Sequence, residues 1–564
     1  MTELLAGIDL PRPAAGPDAG PLDERLYDLV EARVRRVFHD NPILASFFGV
    51  SSEDHRLGDP SRDATLGEIA AERAHLAAVE ALDPAGLSPF ARFERDIELH
   101  NLRLELFELD VVRRWEHRPS AAGDLGDAVF LLFARGSAPL AQRLERITDR
   151  LEAAPAYLVA SRTRAAGKPV AIWQETDLRN AEDMPGLFAE VRAAAEGVLG
   201  TAELARLDAA VVGANAALES WALDLRAGLA DATDDWALGR ERYDELVRLR
   251  GFGDLDADAI LAIGEEQLRV NHDGRRAAAR EVDPDADEPS VIERLKADHP
   301  ATFEEALEAY RDVMHRSRAY LIEHEIVTVP DDEVIEVIPT PEYLRSVMPF
   351  AAYFAPARFD ADQRGLYVVT PAVDNDPNAM LEHYRASISN TSIHEAYPGH
   401  HLQLAVAARH PSLTRMLTDA PEFVEGWGMY SEQMMREQGF DAGPAFRTAM
   451  YTDAIWRACR IILDVRMHRG ELTADEAVDF LVEHTSFETA NARAEVRRYT
   501  YTPGYQLSYL LGKVLILGLR EDEKRRLGPA FSLKGFHDTL LRNGSLPISF
   551  HRRLLRGEGR PGWT

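Results

Sequence analysis

The sequence predicts a mainly α chain with one small β element and a metal-ligating motif directly behind it. Three observations carry this expectation. From residue 22 to 323 apolar side chains recur at three- and four-residue steps almost throughout, the period of an amphipathic helix. Alternating and β-branched composition is confined to EVIEVIPT (333–340), AAYFAPARF (351–359) and GLYVVTP (365–371). Finally, HEAYPGHHLQ (394–403) opens like the zinc-hydrolase signature H-E-x-x-H, yet places Pro398 and Gly399 where the second histidine is due.

In chain order, residues 1–21 are rich in Pro, Gly and Asp and lack periodicity, so a flexible tail is expected. An N-terminal helical part follows over 22–330, in which RDIELHNLRLELFELDVVRRW (95–115) and ELARLDAAVVGANAALESWALDLRAGL (203–229) are the clearest helical runs. DPAG, GFGDLD and DPDADEP separate such runs as breakers. The three strand-like segments come next, with DADQRG as a turn between the last two and GLYVVTP expected as an edge strand able to align an extended peptide. Helical pattern then returns to the C-terminus. The part 331–564 carries the motif, and with no long linker 22–564 is expected to be one continuous lobed domain.

Composition narrows the function. Of 564 residues, 46% are hydrophobic and 28% charged, the balance of a globular protein. Lysine plus arginine number 64 against 94 acids, a net charge of −30, which argues against nucleic acid and anionic membrane surfaces as partners. The N-terminus has no signal-peptide pattern and no segment approaches the ~18 continuous apolar residues of a membrane span, so a cytoplasmic location is expected. The single cysteine, Cys459, excludes an internal disulfide; within AIWRACRIILDV it is expected to be a buried, inert thiol. Arg460 and Asp464 in the same run stand at i, i+4 and are expected to form a structural ion pair.

A catalytic zinc site takes three protein ligands and leaves one position open, and two histidines with a glutamate are a common set. On an unbroken helix His400 would lie roughly 240° round from His394, while His401 would share its face but lie ~10 Å further along. Neither could join His394 on one ion. Pro398 makes an unbroken helix improbable, since its ring removes a backbone donor and clashes with the preceding turn. If the Pro-Gly pair is a bulge, the remainder reads H-E-A-Y-H, His400 is the second ligand, and His401 is a second-layer or surface residue. A third ligand is expected at Glu425, at the head of TDAPEFVEGWGMYSEQMMRE (418–437), with Glu432 placed to hydrogen-bond a liganding histidine. Gly426 and Gly428 each cost a helix ~1 kcal/mol relative to Ala, which points to another backbone packed closely there.

HEAYPGHHLQ, together with EGWGMYSE (425–432) and PGYQLSYLLGK (503–513), resembles the bacterial domain-of-unknown-function 885 family. Its members are regarded as zinc metallopeptidases related to the gluzincins, whose helical-clamshell representatives include thimet oligopeptidase, carboxypeptidase Taq and angiotensin-converting enzyme. The resemblance implies a large helical clamshell-like metallopeptidase fold with a small sheet or hairpin beside the metal. It also implies Zn2+ held by His394, His400 and Glu425, with Glu395 as the catalytic carboxylate. The family's late motif commonly reads P-G-Q-A-L-S-Y where this chain has Pro503-Gly504-Tyr505-Gln506-Leu507-Ser508-Tyr509, so a role is tied less firmly to Tyr505 than to Tyr509.

Peptide hydrolysis needs an activated water, a polarised carbonyl, a stabilised oxyanion and a proton for the amine. Zinc would supply the first two and Glu395 would move the proton. Among Tyr499, Tyr501, Tyr505 and Tyr509, the oxyanion donor is expected at Tyr509. Tyr505 is expected to bind substrate. Arg498, beside Arg497, is either a clamp for a substrate carboxylate or a solvated or ion-paired structural arginine. The expected activity is zinc-dependent hydrolysis of short peptides, with carboxypeptidase action as one form of it. Two alternatives stay open: hydrolysis of a non-peptide amide, and a catalytically silent helical binding protein stabilised by its metal.

Overall fold

Helix formation follows the apolar periods of the sequence. A computed structural model describes residues 8–14, 16, 18–136, 138–165, 167–340, 351–372, 376–485 and 487–559. The fold is mainly helical with one small three-stranded mixed sheet. The chain divides into two compact units, one built mainly from Met1–Trp236 with Ala357–Gln363, the other from Ala237–Pro356 with Arg364–Gly562.

In the first unit the 203–229 run forms the helix Thr201–Gly228. The 95–115 run is helical to Leu106, widens into a π-helical turn over Phe107–Val112 and ends at Arg113 in a left-handed conformation. Residues 1–7 of the expected tail lie outside the described residues. Further along it, Leu10 and Pro13 are buried, and Arg12 pairs with Asp28 at 2.5 Å.

The second unit carries all the motifs. Its helices used below are α1 (Arg240–Arg250), α2 (Ala257–Val282), α3 (Phe303–Glu323), α4 (Arg385–Glu395), α5 (His400–Ala407), α6 (Pro421–Glu437), α7 (Pro444–His468), α8 (Thr489–Tyr499) and α9 (Ser508–Leu527). Strands β1 (Val334–Pro339) and β2 (Ala351–Phe354) fall within the first two segments read from composition, and β3 (Arg364–Val369) begins one residue before the third. Their order is β1-β3-β2, with β3 parallel to β1 (Val337 opposite Tyr367) and antiparallel to β2 (Tyr353 opposite Tyr367). This corrects the expectation for GLYVVTP. β3 spends both edges on pairing and lies in the centre, and β2 is an edge strand. The centre suits β3, whose Tyr367, Val368 and Val369 are fully buried.

Two apolar clusters enclose the motif-bearing helices. One joins Ile393, Tyr397, Leu402, Phe423, Trp427 and Tyr430 to α3 and the sheet. The other joins Met429 to residues of α1, α2, α7 and α9, among them Tyr243, Ile260, Ile461 and Leu510. α6 contributes to both, so it is buried on nearly every side. Its glycines follow from that. A Cβ at Gly426 would stand 2.6 Å from the Gly512 backbone, so α6 and α9 cross backbone to backbone, as the glycine pair implied. Cys459 is fully buried in α7, and burial pushes its thiol up to about 12, which makes it inert as expected.

The expected Arg460–Asp464 pair is absent. Arg460 turns toward α8 and donates to Glu495 at 2.9 Å and to the Tyr499 hydroxyl at 3.1 Å. Asp464 turns the other way, its Oδ2 accepting from the Tyr243 hydroxyl at 2.7 Å and the Gly504 N–H at 2.8 Å. Burial pushes its carboxyl up to about 7, so neutral donors suit it.

Candidate metal centre

The break between the two histidines is a turn, not a bulge within one helix. α4 ends at Glu395 and α5 begins at His400, with residues 396–399 between them and the Tyr397–Pro398 peptide cis. The Gly399 N–H donates back to the Ile393 carbonyl at 3.0 Å. A Cβ on Gly399 would lie 1.8 Å from the His394 carbonyl oxygen, so glycine alone fits. From α6 the Trp427 indole N–H donates to the Pro398 carbonyl at 2.7 Å and fixes the turn from outside. The outcome is the one the spacing required: the His394 and His400 rings meet edge to face with centroids 4.7 Å apart.

Glu425, in the second turn of α6, completes the group. Its Oε2 lies 3.6 Å from His394 Nε2 and 3.3 Å from His400 Nε2. One ligand atom from each of His394, His400 and Glu425 can be chosen so that all lie within 4.8 Å of one another, a spacing that can hold a metal ion. The donors suit a divalent ion in other respects. His394 Nδ1 meets Glu432 Oε1 at 2.7 Å, which commits that nitrogen and leaves Nε2 for the ion. Burial pulls the His394 imidazolium down, but bonds to Glu425 and Glu432 outweigh it and hold its pKa well above the ordinary range. Burial pushes the Glu425 carboxyl up, and the two histidines reverse this to well below the ordinary range. Glu425 and Glu432 thus favour positive charge at the His394 side of the group.

A buried chain of polar groups supports His394. The Asn390 amide donates to Glu432 Oε2 at 2.9 Å and to Asp453 at 2.8 Å, and Asp453 accepts from Arg457 at 3.3 Å. A Cβ at Gly428 would stand 2.6–2.9 Å from the His394 ring atoms, so this glycine is the floor on which the imidazole lies. Only Gly426 of the α6 pair therefore makes room for a backbone.

Glu395 adjoins the triad, half-buried, with Oε2 accepting from the Tyr353 N–H on β2 at 3.1 Å. His401 is buried at 1% exposure, which rules out the surface option. Its ring bonds the Tyr353 hydroxyl at 3.0 Å and Glu333, so it braces the strand that holds Glu395. Among the four tyrosines, the Tyr505 hydroxyl donates to Glu425 Oε1 at 3.2 Å. Burial and the Glu425 charge raise its pKa, which keeps the phenol protonated. The Tyr509 ring lies 6.1 Å from that of Tyr505, with the Arg460 guanidinium 4.8 Å from its centroid. Tyr499 is buried against Arg460 and Trp456. Arg498 pairs with Glu495 at 3.0 Å.

Trp427, Gly428, Asn390 and Tyr353 were not singled out from the sequence as supports of the site. Asn390 stands one helical turn before His394 and could have been found from that spacing. The Tyr353 contact comes from the sheet, and no local pattern announces it.

The fold has solved counterparts. A "putative lipoprotein of unknown function" from Shewanella oneidensis matches with a TM-score of 0.77 at 22% identity, covering 94% of this chain and 99% of its own. A "putative lipoprotein" from Colwellia psychrerythraea matches with a TM-score of 0.82 at 18% identity, covering 95% and 99%. At such identities the likeness speaks for the fold. No curated protein matches the chain. Residues 42–555 match the family described as bacterial protein of unknown function (DUF885), and the chain belongs to that family.

Proposed function

We propose that this protein is a zinc-dependent peptidase acting on short peptides, with His394, His400 and Glu425 as the metal ligands. The observation that carries the proposal is the convergence of these three donors beside a carboxylate, Glu395, that has no ion-pair partner among the described residues and that a strand-edge N–H holds in place. When bound, zinc supplies Lewis acidity toward a carbonyl and lowers the pKa of water. With Oε2 held by Tyr353, Glu395 Oε1 takes the water proton and passes it to the departing nitrogen. Tyr505, protonated and touching the ligand Glu425, takes the part of oxyanion donor that the sequence assigned to Tyr509. The edge of β2 beside Glu395 is where an extended substrate would add as a further strand.

A mixed peptide library incubated with the zinc-loaded protein and read by mass spectrometry tests the proposal. Cleavage is expected, to be lost on chelation and restored by zinc, and Glu395→Gln should retain zinc while losing at least roughly a hundredfold in turnover. Undiminished cleavage by Glu395→Gln, or none by the zinc-loaded wild type, refutes it. For location, the cytoplasm expected from sequence is retained as the proposal. The two solved counterparts are described as lipoproteins, which points instead to the cell envelope, and fractionation of cells separates the two. No helix among the described residues is long and apolar enough to cross a membrane.

A further inference from the structure

Beyond Tyr505, two guanidiniums lie against Tyr509, and a third joins them through a shared carboxylate. Arg457 and Arg460, neighbours on one face of α7, each lie 4.0 Å from the Trp456 ring centroid, and 5.8 Å and 4.8 Å from that of Tyr509. Arg498, at the end of α8, shares Glu495 with Arg460. Its charge also acts on the Tyr505 phenol. Arg457 has Asp453 as its ion-pair partner, at 3.3 Å. Three guanidiniums thus share two carboxylates, and one of those is divided between two arginines. Nε of Arg457 and Nε of Arg498 are buried without an acceptor. Among the described residues, neither Nη2 of Arg457 nor Nη1 of Arg498 has a partner.

A charged donor buried without an acceptor is left unsatisfied at a cost, and an anion arriving there offsets that cost. The planar fork of a guanidinium matches a carboxylate in two points; the faces of Trp456 and Tyr509 keep that of Arg457 in place, and Glu495 holds that of Arg498. Tyr505 joins the cluster to the triad, since its hydroxyl touches Glu425 and its ring neighbours Tyr509.

We infer that Arg498 and Arg457 form a subsite for the free carboxylate of the substrate, so that the enzyme removes the C-terminal residue of short peptides or acylated amino acids. The inference rests on the hydrolase reading above. In the step it describes, the amide C–N bond next to the C-terminal residue breaks, the water oxygen ends on the carbonyl carbon, and the departing amine gains a proton by way of Glu395. The products are a shortened acid and a free amino acid.

The test compares an N-acylated dipeptide bearing a free C-terminus with its C-terminal amide, using the zinc-loaded full chain. The free acid should be preferred in kcat/KM by roughly 10- to 100-fold, the range of a charge-assisted hydrogen bond. Arg498→Ala should collapse this ratio, chiefly through KM for the acid, and Arg498→Lys should restore part of it with zinc content unchanged; Arg457→Ala, whose partner Asp453 also bonds Asn390 behind His394, should lower the acid-to-amide ratio at matched zinc content. Equal kcat/KM for acid and amide in the wild type overturns the inference while leaving the hydrolase reading intact. So does a ratio that neither variant moves. If neither compound is cleaved, calorimetric binding of the pair to the zinc-loaded protein decides: preference for the acid supports the subsite, and equal or no binding overturns it.

Discussion

Gly428→Ala isolates the support of the metal centre from the ligands themselves. The added methyl would sit 2.6 Å from Cε1, 2.8 Å from Nε2 and 2.9 Å from Nδ1 of His394, where carbon atoms prefer about 3.5–4.0 Å. The ring must retreat by roughly 1 Å, whereas a metal–ligand bond tolerates about 0.2 Å. Retreat also strains the 2.7 Å contact between Nδ1 and Glu432. Overpacking costs about 1–3 kcal/mol, and the gain in helix propensity from Gly to Ala returns ~1 kcal/mol. Net stability of the metal-free protein should therefore fall by no more than about 2 kcal/mol. Zinc affinity should fall roughly 10- to 100-fold, the cost of misplacing a liganding histidine. A chelator-competition titration measures the affinity, and urea denaturation of the metal-free protein measures the stability. Gly426→Ala is the contrast, because its methyl meets the Gly512 backbone and its cost should fall on folding. Wild-type zinc affinity in Gly428→Ala would show that the glycine does not seat the His394 ring.

Two further outcomes follow from the buried polar groups. Glu432→Gln weakens the acceptor that fixes His394 and should lower zinc affinity by roughly 10-fold or more, read by the same titration; unchanged affinity would remove Glu432 from the site. Asp464, raised by burial to about 7, binds its proton more tightly folded than unfolded, where the value is near 3.9. Its stabilising contribution is therefore complete below about pH 4, declines as pH rises toward 7 and levels off above that. Measured against Asp464→Asn by urea denaturation, wild-type stability should fall over that window by on the order of 1 kcal/mol per pH unit. A flat difference would show that the carboxyl titrates normally.

The strands were legible because β-branched alternation is a local signal, and all three segments formed strands. Their order was not, because the pairing of β3 with β1 joins residues about 30 positions apart and nothing within GLYVVTP reveals a partner on its second edge. The ligand spacing was legible because Pro398 and Gly399 exclude the regular helix on which no second histidine would reach. What closes the turn, the Trp427 indole on the Pro398 carbonyl, arises from another helix and left no mark beyond a tryptophan between two glycines. The i, i+4 rule failed for Arg460 and Asp464 because it presumes a solvated helix face. On a buried helix each side chain goes to the tertiary partner that satisfies it, here Glu495 for one and Tyr243 with Gly504 for the other.

Anomalous diffraction at the zinc absorption edge, from crystals of the zinc-loaded protein, locates the ion among its ligands. A single strong peak is expected about 2.0–2.2 Å from one nitrogen of His394, one nitrogen of His400 and a carboxylate oxygen of Glu425. A peak elsewhere, or no peak between these three residues, would contradict it.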